Sequence, residues 1–248
     1  MQSVTVLMIA VFALLAHASN THLTYTVLSN NIKEYNGFDL DFNTTTMQAN
    51  WVNYTINGGK NGCYNCKWQN VNYSNITTEC YPKCPTDKTF ICHRLYDRGH
   101  LVPNAEIGTS TWIISNAVPM YKKFNSGKWF ASELYLRSHH AGKTVFKGCN
   151  YDYTYTYESD RCKTKLYIPL GCYYVVVKEI GNVFELIDYG YWTNSDFNPI
   201  FTKELPWWFV PTATNNTTTS GTTTTTSTTS NDFTSSASAK NNWFQLFN

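Results

Sequence analysis

Apolar and polar positions alternate over residues 23–28 and 49–55, the two-residue period of strands with one covered face, and both stretches read as edge strands. Asn57-Gly58-Gly59 marks a turn after the second. Residues 61–92 hold five cysteines and read as loop, stapled more than packed. Residues 92–103 predict a strand, 104–110 a loop and 112–114 a short buried strand. Asn125, Trp129, Glu133 and Arg137 stand four apart, so on a helix opened by Asn125 each falls about 40° round from the last. One helical face then carries an amide, a carboxylate and a guanidinium in a row. Gly127, in the first turn, lets the chain approach closely there. Strands follow over 144–149, 166–178 and 183–187, and the alternating Tyr151, Tyr153, Tyr155 and Tyr157 read as an exposed hairpin.

These elements predict one α+β domain over residues 19–211, mostly antiparallel sheet, with 206–211 as its last packed segment. Beyond it, residues 212–240 are Thr/Ser-rich with almost no apolar positions, the composition of a disordered, glycosylated stretch. Residues 241–248 form a short aromatic tail, too short for the tail of a lipid-anchor signal. At the other end, residues 1–18 read as a signal peptide: an apolar run closed by Ala16-His17-Ala18. That run is short for a membrane span, and no later stretch reaches the ~20 apolar residues needed. The mature chain is expected to be exported, without stable membrane insertion.

All eight cysteines lie beyond residue 18, and an even number in an exported chain predicts up to four disulfides. Five fall between Cys63 and Cys92, so full pairing requires a bridge from that group to Cys149, Cys162 or Cys172. Cys63-x-x-Cys66 with Cys80-x-x-x-Cys84 is also a zinc-like spacing. Asn43, Asn53, Asn72, Asn75, Asn215 and Asn216 each open an N-glycosylation sequon.

Among the 248 residues, 42% are hydrophobic and 16% aromatic, enough for a sizeable core. A formal net charge of +2 excludes a strongly basic nucleic-acid coat protein. The charge is uneven, however. Between Asp97 and Lys147, seven Lys/Arg face three acids, which is +4 locally and leaves −2 for the rest. A basic cleft on a near-neutral body suits a polyanion held briefly, although Lys143 and Lys147 also read as ordinary surface lysines.

Asp97-Arg98-Gly99-His100, followed by Ser115-Asn116, then Asn125, then Glu133 eight residues later, resembles the DNA/RNA non-specific endonuclease family, sugar-non-specific nucleases of the ββα-metal (His-Me finger) kind. The resemblance spans at least residues 94–137. It implies a disulfide-rich α+β fold with such a finger, and Mg2+-dependent hydrolysis of DNA and RNA that leaves a 5′-phosphate and a 3′-hydroxyl. Mn2+ or another divalent cation could substitute.

By the same resemblance, His100 is the general base, Asn125 the direct metal ligand, and Glu133 a holder of the metal through water. Arg98 and Arg137 bind phosphate, while Asn116 and Asp97 support the site. The residue types suit the chemistry. A neutral imidazole accepts a proton near pH 7, magnesium keeps most of its waters, and a guanidinium fork matches phosphate oxygens. The chain departs from the family in having no arginine before Arg94. Lys67 is the best positional substitute, with Lys128 a second candidate substrate contact. Two other readings stay open: a catalytically impaired, nuclease-like protein that binds nucleic acid, and an exported adhesin with a Thr-rich stalk.

Overall fold

The computed structural model describes residues 23–59, 62–81, 96–158, 164–195, 201–202 and 205–212. The N-terminal leader, the Thr-rich segment and the aromatic tail lie outside these residues. Runs rich in Tyr, Val and Phe build the frame, a twisted antiparallel sheet. Its strands are β1 (Thr24–Val27), β2 (Ile32–Tyr35), β3 (Phe38–Asn43), β4 (Gln48–Thr55), β7 (Thr144–Tyr157), β8 (Leu166–Ile180), β9 (Val183–Thr193), β10 (Phe201–Thr202) and β11 (Phe209–Pro211). The order is β11-β1-β9-β8-β7-β4-β3-β2, with β10 also on β9. The architecture is sheet-dominated α+β, as expected.

Both faces of the sheet are covered. On β8, Tyr173, Val175 and Val177 enter one core with Trp51, Phe146 and Trp208. Cys172, Tyr174 and Val176, pointing the other way, enter the core beneath the helix with Val52, Val145 and Trp129. This is the pleat acting with period two. Adjacent Trp51 and Val52 of β4 are buried on opposite faces, and β4 is not an edge strand, since it pairs with β3 and β7. Strand β1 likewise lies one in from the edge, between β11 and β9. The tyrosine run does not form a hairpin of its own. It prolongs β7 and pairs with β8, leaving Tyr153 and Tyr155 exposed.

A separate two-stranded ribbon, β5 (Tyr96–His100) with β6 (Ala117–Tyr121), stands beside the sheet in antiparallel register, His100 opposite Ala117. Gly99 of β5 packs on Met120, and a Cβ there would lie 2.2 Å from the thioether sulfur. Only glycine fits between Arg98 and His100. The loop from β5 to β6 departs from expectation in two ways. Residues 104–107 form a short helix, α1 (Asn104–Ile107), where a loop was predicted, because Pro103 presets the helical entry. Residues 112–114 make no strand beyond one parallel bridge from Ile113 to Gln69; the buried strand is β6.

After β6 the chain turns directly into helix. Lys122, not Asn125, opens it: α2 (Lys122–Phe124) passes into a π-type turn (Asn125–Trp129) and then α3 (Phe130–His139). Strands β5 and β6 with this helix make a ββα finger. Gly127 sits in the π turn with open space around it, so it serves no close approach.

Two disulfides are described. Cys149–Cys172 joins directly opposed residues of β7 and β8. Cys63–Cys66 closes a tight loop, which removes two thiolates from the zinc-like spacing. Cys80 is also disulfide-bonded. The bridge expected between the two cysteine groups falls on residues outside those described.

Candidate active site

His100 ends β5. Its carbonyl accepts a hydrogen bond from the Trp129 indole at 2.9 Å, tying the ribbon to the helix. Its ring packs against Trp68 at 4.4 Å between centroids and meets Trp112 edge-on at 4.9 Å. Nε2 is buried and has no hydrogen-bond partner among the described residues. Removal from water, aided by the nearby positive charges of Lys147 and Arg98, pushes the imidazole pKa down to about 3. The ring is therefore neutral at pH 7.

Arg98, two residues earlier on the same face of β5, spreads over Trp68 at 5.6 Å and Tyr81 at 6.0 Å. Asp97 points to the opposite side, where its carboxylate accepts a 3.4 Å bond from the Asn125 amide nitrogen. With its nitrogen turned to Asp97, Asn125 presents its oxygen elsewhere. The turn that carries it has five residues, and such local π geometry recurs at functional sites.

The helix supplies charge. Glu133 Oε1 lies 3.5 Å from Lys147 Nζ and Oε2 3.6 Å from Arg137 Nη2. Arg137 Nε donates at 2.6 Å to Glu106 of α1, whose other oxygen accepts the Asn57 backbone N–H at 2.6 Å. Lys147 has no exposed side-chain surface, and its ammonium sits 4.1 Å from the centre of the Trp129 ring. It is not a surface lysine. Burial raises the Glu133 pKa and lowers that of Lys147 to about 8, while their mutual attraction opposes both shifts.

Arg98, His100, Asn125, Glu133 and Arg137 line one cavity of about 530 Å3, together with Pro103, Asn104, Ala105, Ser126 and Phe130. Five residues singled out from sequence thus converge. Asn116 does not line the cavity. It is buried beside it, where its side chain bonds the N–H and C=O of Val102 and the carbonyl of Thr111. Lys67 and Lys128 are exposed and outside the cavity lining. The residue that reaches the site from the cysteine loop is Trp68, the neighbour of Lys67. A clamp holds that loop: Asn104 bonds both backbone groups of Cys63, and its oxygen also accepts the Trp112 indole N–H.

Sequence reasoning therefore missed Trp68, Trp112, Glu106 and Lys147. For Lys147 a signal existed: Val145 and Phe146 beside it are consecutive apolar residues, the mark of a strand covered on both faces. Glu106 fell in a presumed loop and carried no signal.

A family model described as DNA/RNA non-specific endonuclease matches residues 18–219. Among solved structures, a chain from the crystal structure of the EndoG/EndoGI complex, titled for the mechanism of EndoG inhibition, is similar at 17% identity. The match covers 70% of this chain and 78% of that one, with a TM-score of 0.42. No curated protein matches.

Proposed function

Since the chain belongs to the DNA/RNA non-specific endonuclease family, and is on that ground a nuclease, we propose that its cavity hydrolyses phosphodiesters of DNA and RNA with one divalent cation, Mg2+ by preference. The donor set fits such an ion. Among the described residues no three His, Cys, Asp or Glu side chains converge. The cavity offers instead an amide oxygen at Asn125 and a carboxylate at Glu133, hard donors that suit a cation retaining most of its waters. Asn125 would hold it directly and Glu133 through water. When bound, it supplies positive charge against the phosphoryl oxygens and the leaving oxygen.

The protein's own groups do the rest. Arg98 and Arg137, which line the same cavity, receive the phosphodiester; the aromatic faces under Arg98 keep the guanidinium in one orientation. His100 Nε2 takes the proton of the attacking water as the new P–O bond forms and the P–O3′ bond breaks, and the departing O3′ takes a proton from water to become the 3′-hydroxyl. The entering phosphate is an anion, and it raises the ring's proton affinity just where a proton must be taken up. Asn116 fixes the turn after His100, and Asp97 fixes the Asn125 amide. Base edges meet no dedicated donors in this scheme, so substrate choice is broad. The observation that carries the reading is the buried, unpartnered Nε2 of His100 in the same cavity as Asn125 and Glu133.

The disulfides support export to an oxidising compartment. Asn72 and Asn75 are exposed and available for glycosylation. No helix among the described residues is long and apolar enough to cross a membrane.

Circular DNA and RNA incubated with a Mg2+ and Mn2+ series, with and without chelator, test the proposal. Both should be cut only with metal, and absence of cutting at every metal concentration overturns it. Asn125→Ala should need about 10–100-fold more metal for the same rate. An unchanged metal requirement would remove Asn125 as the ligand.

A further inference from the structure

Lys147 stands on β7 with Val145 and Cys149 on its own face, in a strand covered on both sides. An ammonium there loses hydration worth several kcal/mol. The Trp129 ring and the Glu133 carboxylate return part of that. An apolar residue would fill the same space without the loss, and replacing a whole buried ion pair, Glu133 included, by apolar groups is often neutral or stabilising. Packing alone gives no reason for a lysine. Phosphate binding gives none either, because the side chain is inaccessible and does not line the cavity. Among the described residues, the site groups that Lys147 contacts directly are Glu133 and Trp129.

Those two contacts are informative. Glu133 has each carboxylate oxygen beside a different cation, Oε1 by Lys147 and Oε2 by Arg137, and Arg137 is itself fixed by Glu106. A carboxylate on a helix facing a cavity has free χ rotation; held at both oxygens it has one position. Trp129, the brace under the ammonium, is the residue whose indole N–H holds the His100 carbonyl. We propose that Lys147 is a positioning residue: its buried ammonium, braced on Trp129, fixes Glu133 so that its carboxylate orders the water around a cation held at Asn125. The proposal rests on the nuclease reading above for the identity of the cation site.

The test uses the full chain, with Lys147→Met as the variant and Mn2+ as the probe. Mn2+ binding is measured by calorimetry without substrate. The Mg2+ concentration for half-maximal cleavage, the KM for DNA and the Tm are measured beside it. Lys147→Met should weaken Mn2+ binding about tenfold or more and raise the Mg2+ requirement in proportion. The KM at saturating metal should stay near that of the parent, and the Tm should fall, because the variant leaves one oxygen of the buried Glu133 without its cation. A role in packing alone would lower the Tm and leave metal binding untouched; parental Mn2+ affinity and Mg2+ requirement in the variant overturn the proposal. Should Lys147→Met not fold, Lys147→Gln, which keeps a donor but no charge, is read the same way. The two readings fail separately. Mn2+ binding that depends on Lys147 in a protein that cuts no nucleic acid sinks the nuclease reading and leaves this one. Cutting with unaltered metal dependence does the reverse.

Discussion

The two walls of the cavity are prepared in opposite ways. On the ribbon side, His100 packs against two indoles that also touch each other, Nε2 is buried and has no partner among the described residues, and the charges of Lys147 and Arg98 acting on it are positive. On the helix side, four ionisable groups alternate in sign from Glu106 through Arg137 and Glu133 to Lys147, each beside its opposite. A base must be able to take up a proton and then release it, so it is kept neutral by withholding water and partners. A site for a cation must keep its carboxylate fixed as the ion comes and goes, so it is surrounded by partners that do not move. Exposed ion pairs would do this poorly, being worth little and screened by salt. Burial makes the alternating chain rigid, at a cost in desolvation.

The comparison breaks most sharply at His100. His100→Ala should lower kcat by about 10²–10⁴-fold, the range ascribed to a positioned general base, with the fold retained. Because the change removes a buried polar ring and no partner of Nε2, little else in the site should move. A variant with full activity would end the base assignment.

Much of this site was legible in the chain. The motif from Asp97 to His100 and the four-residue spacing of Asn125, Glu133 and Arg137 held five of the residues that line the cavity. Glu133 and Arg137 keep their spacing because they share one regular helix, while Trp129, between Asn125 and Glu133, leaves the stripe and buries itself against the ribbon. What stayed hidden depends on partners far along the chain. Glu106 matters because Arg137, 31 residues on, reaches it, and Trp68 because a clamped disulfide loop lays it on His100. Neither position differs locally from a loop acid or a loop tryptophan. Strand β4 reads from its sequence as an edge strand, but Asn50 bonds Asp41 and Asn43 within the sheet and Asn53 accepts the Asp39 N–H.

A smaller effect tests the helix wall from its far end. Glu106→Gln keeps the shape of the side chain but removes the charge that faces Arg137 Nε and the Asn57 N–H. Arg137 should then swing more freely, and under its proposed role of receiving the phosphodiester the loss should fall on KM for DNA, about tenfold, with kcat at saturation less affected. A loss confined to kcat with KM unchanged would show that Arg137 acts only in the transition state.

The last prediction concerns the ribbon wall and is read in pH. In the folded protein His100 titrates at about 3, against 6.5 for an ordinary histidine. Between those values the unfolded chain binds a proton that the native chain refuses, so stability is fully present above pH 6.5 and is lost as pH falls toward 3. The whole effect is on the order of 3–6 kcal/mol, from a shift good to about a unit at about 1.4 kcal/mol per unit. Trp68→Ala opens the ring to water and brings its folded pKa back toward 6.5. The variant should be less stable than the parent at pH 7, having lost a half-buried indole, but the gap should narrow by pH 4, where the parent has forfeited stability that the variant never held. The acid limb of kcat/KM should move to higher pH in the same variant. Urea unfolding at the two pH values decides it: an equal gap at both would mean that Trp68 packs beside His100 without controlling its proton.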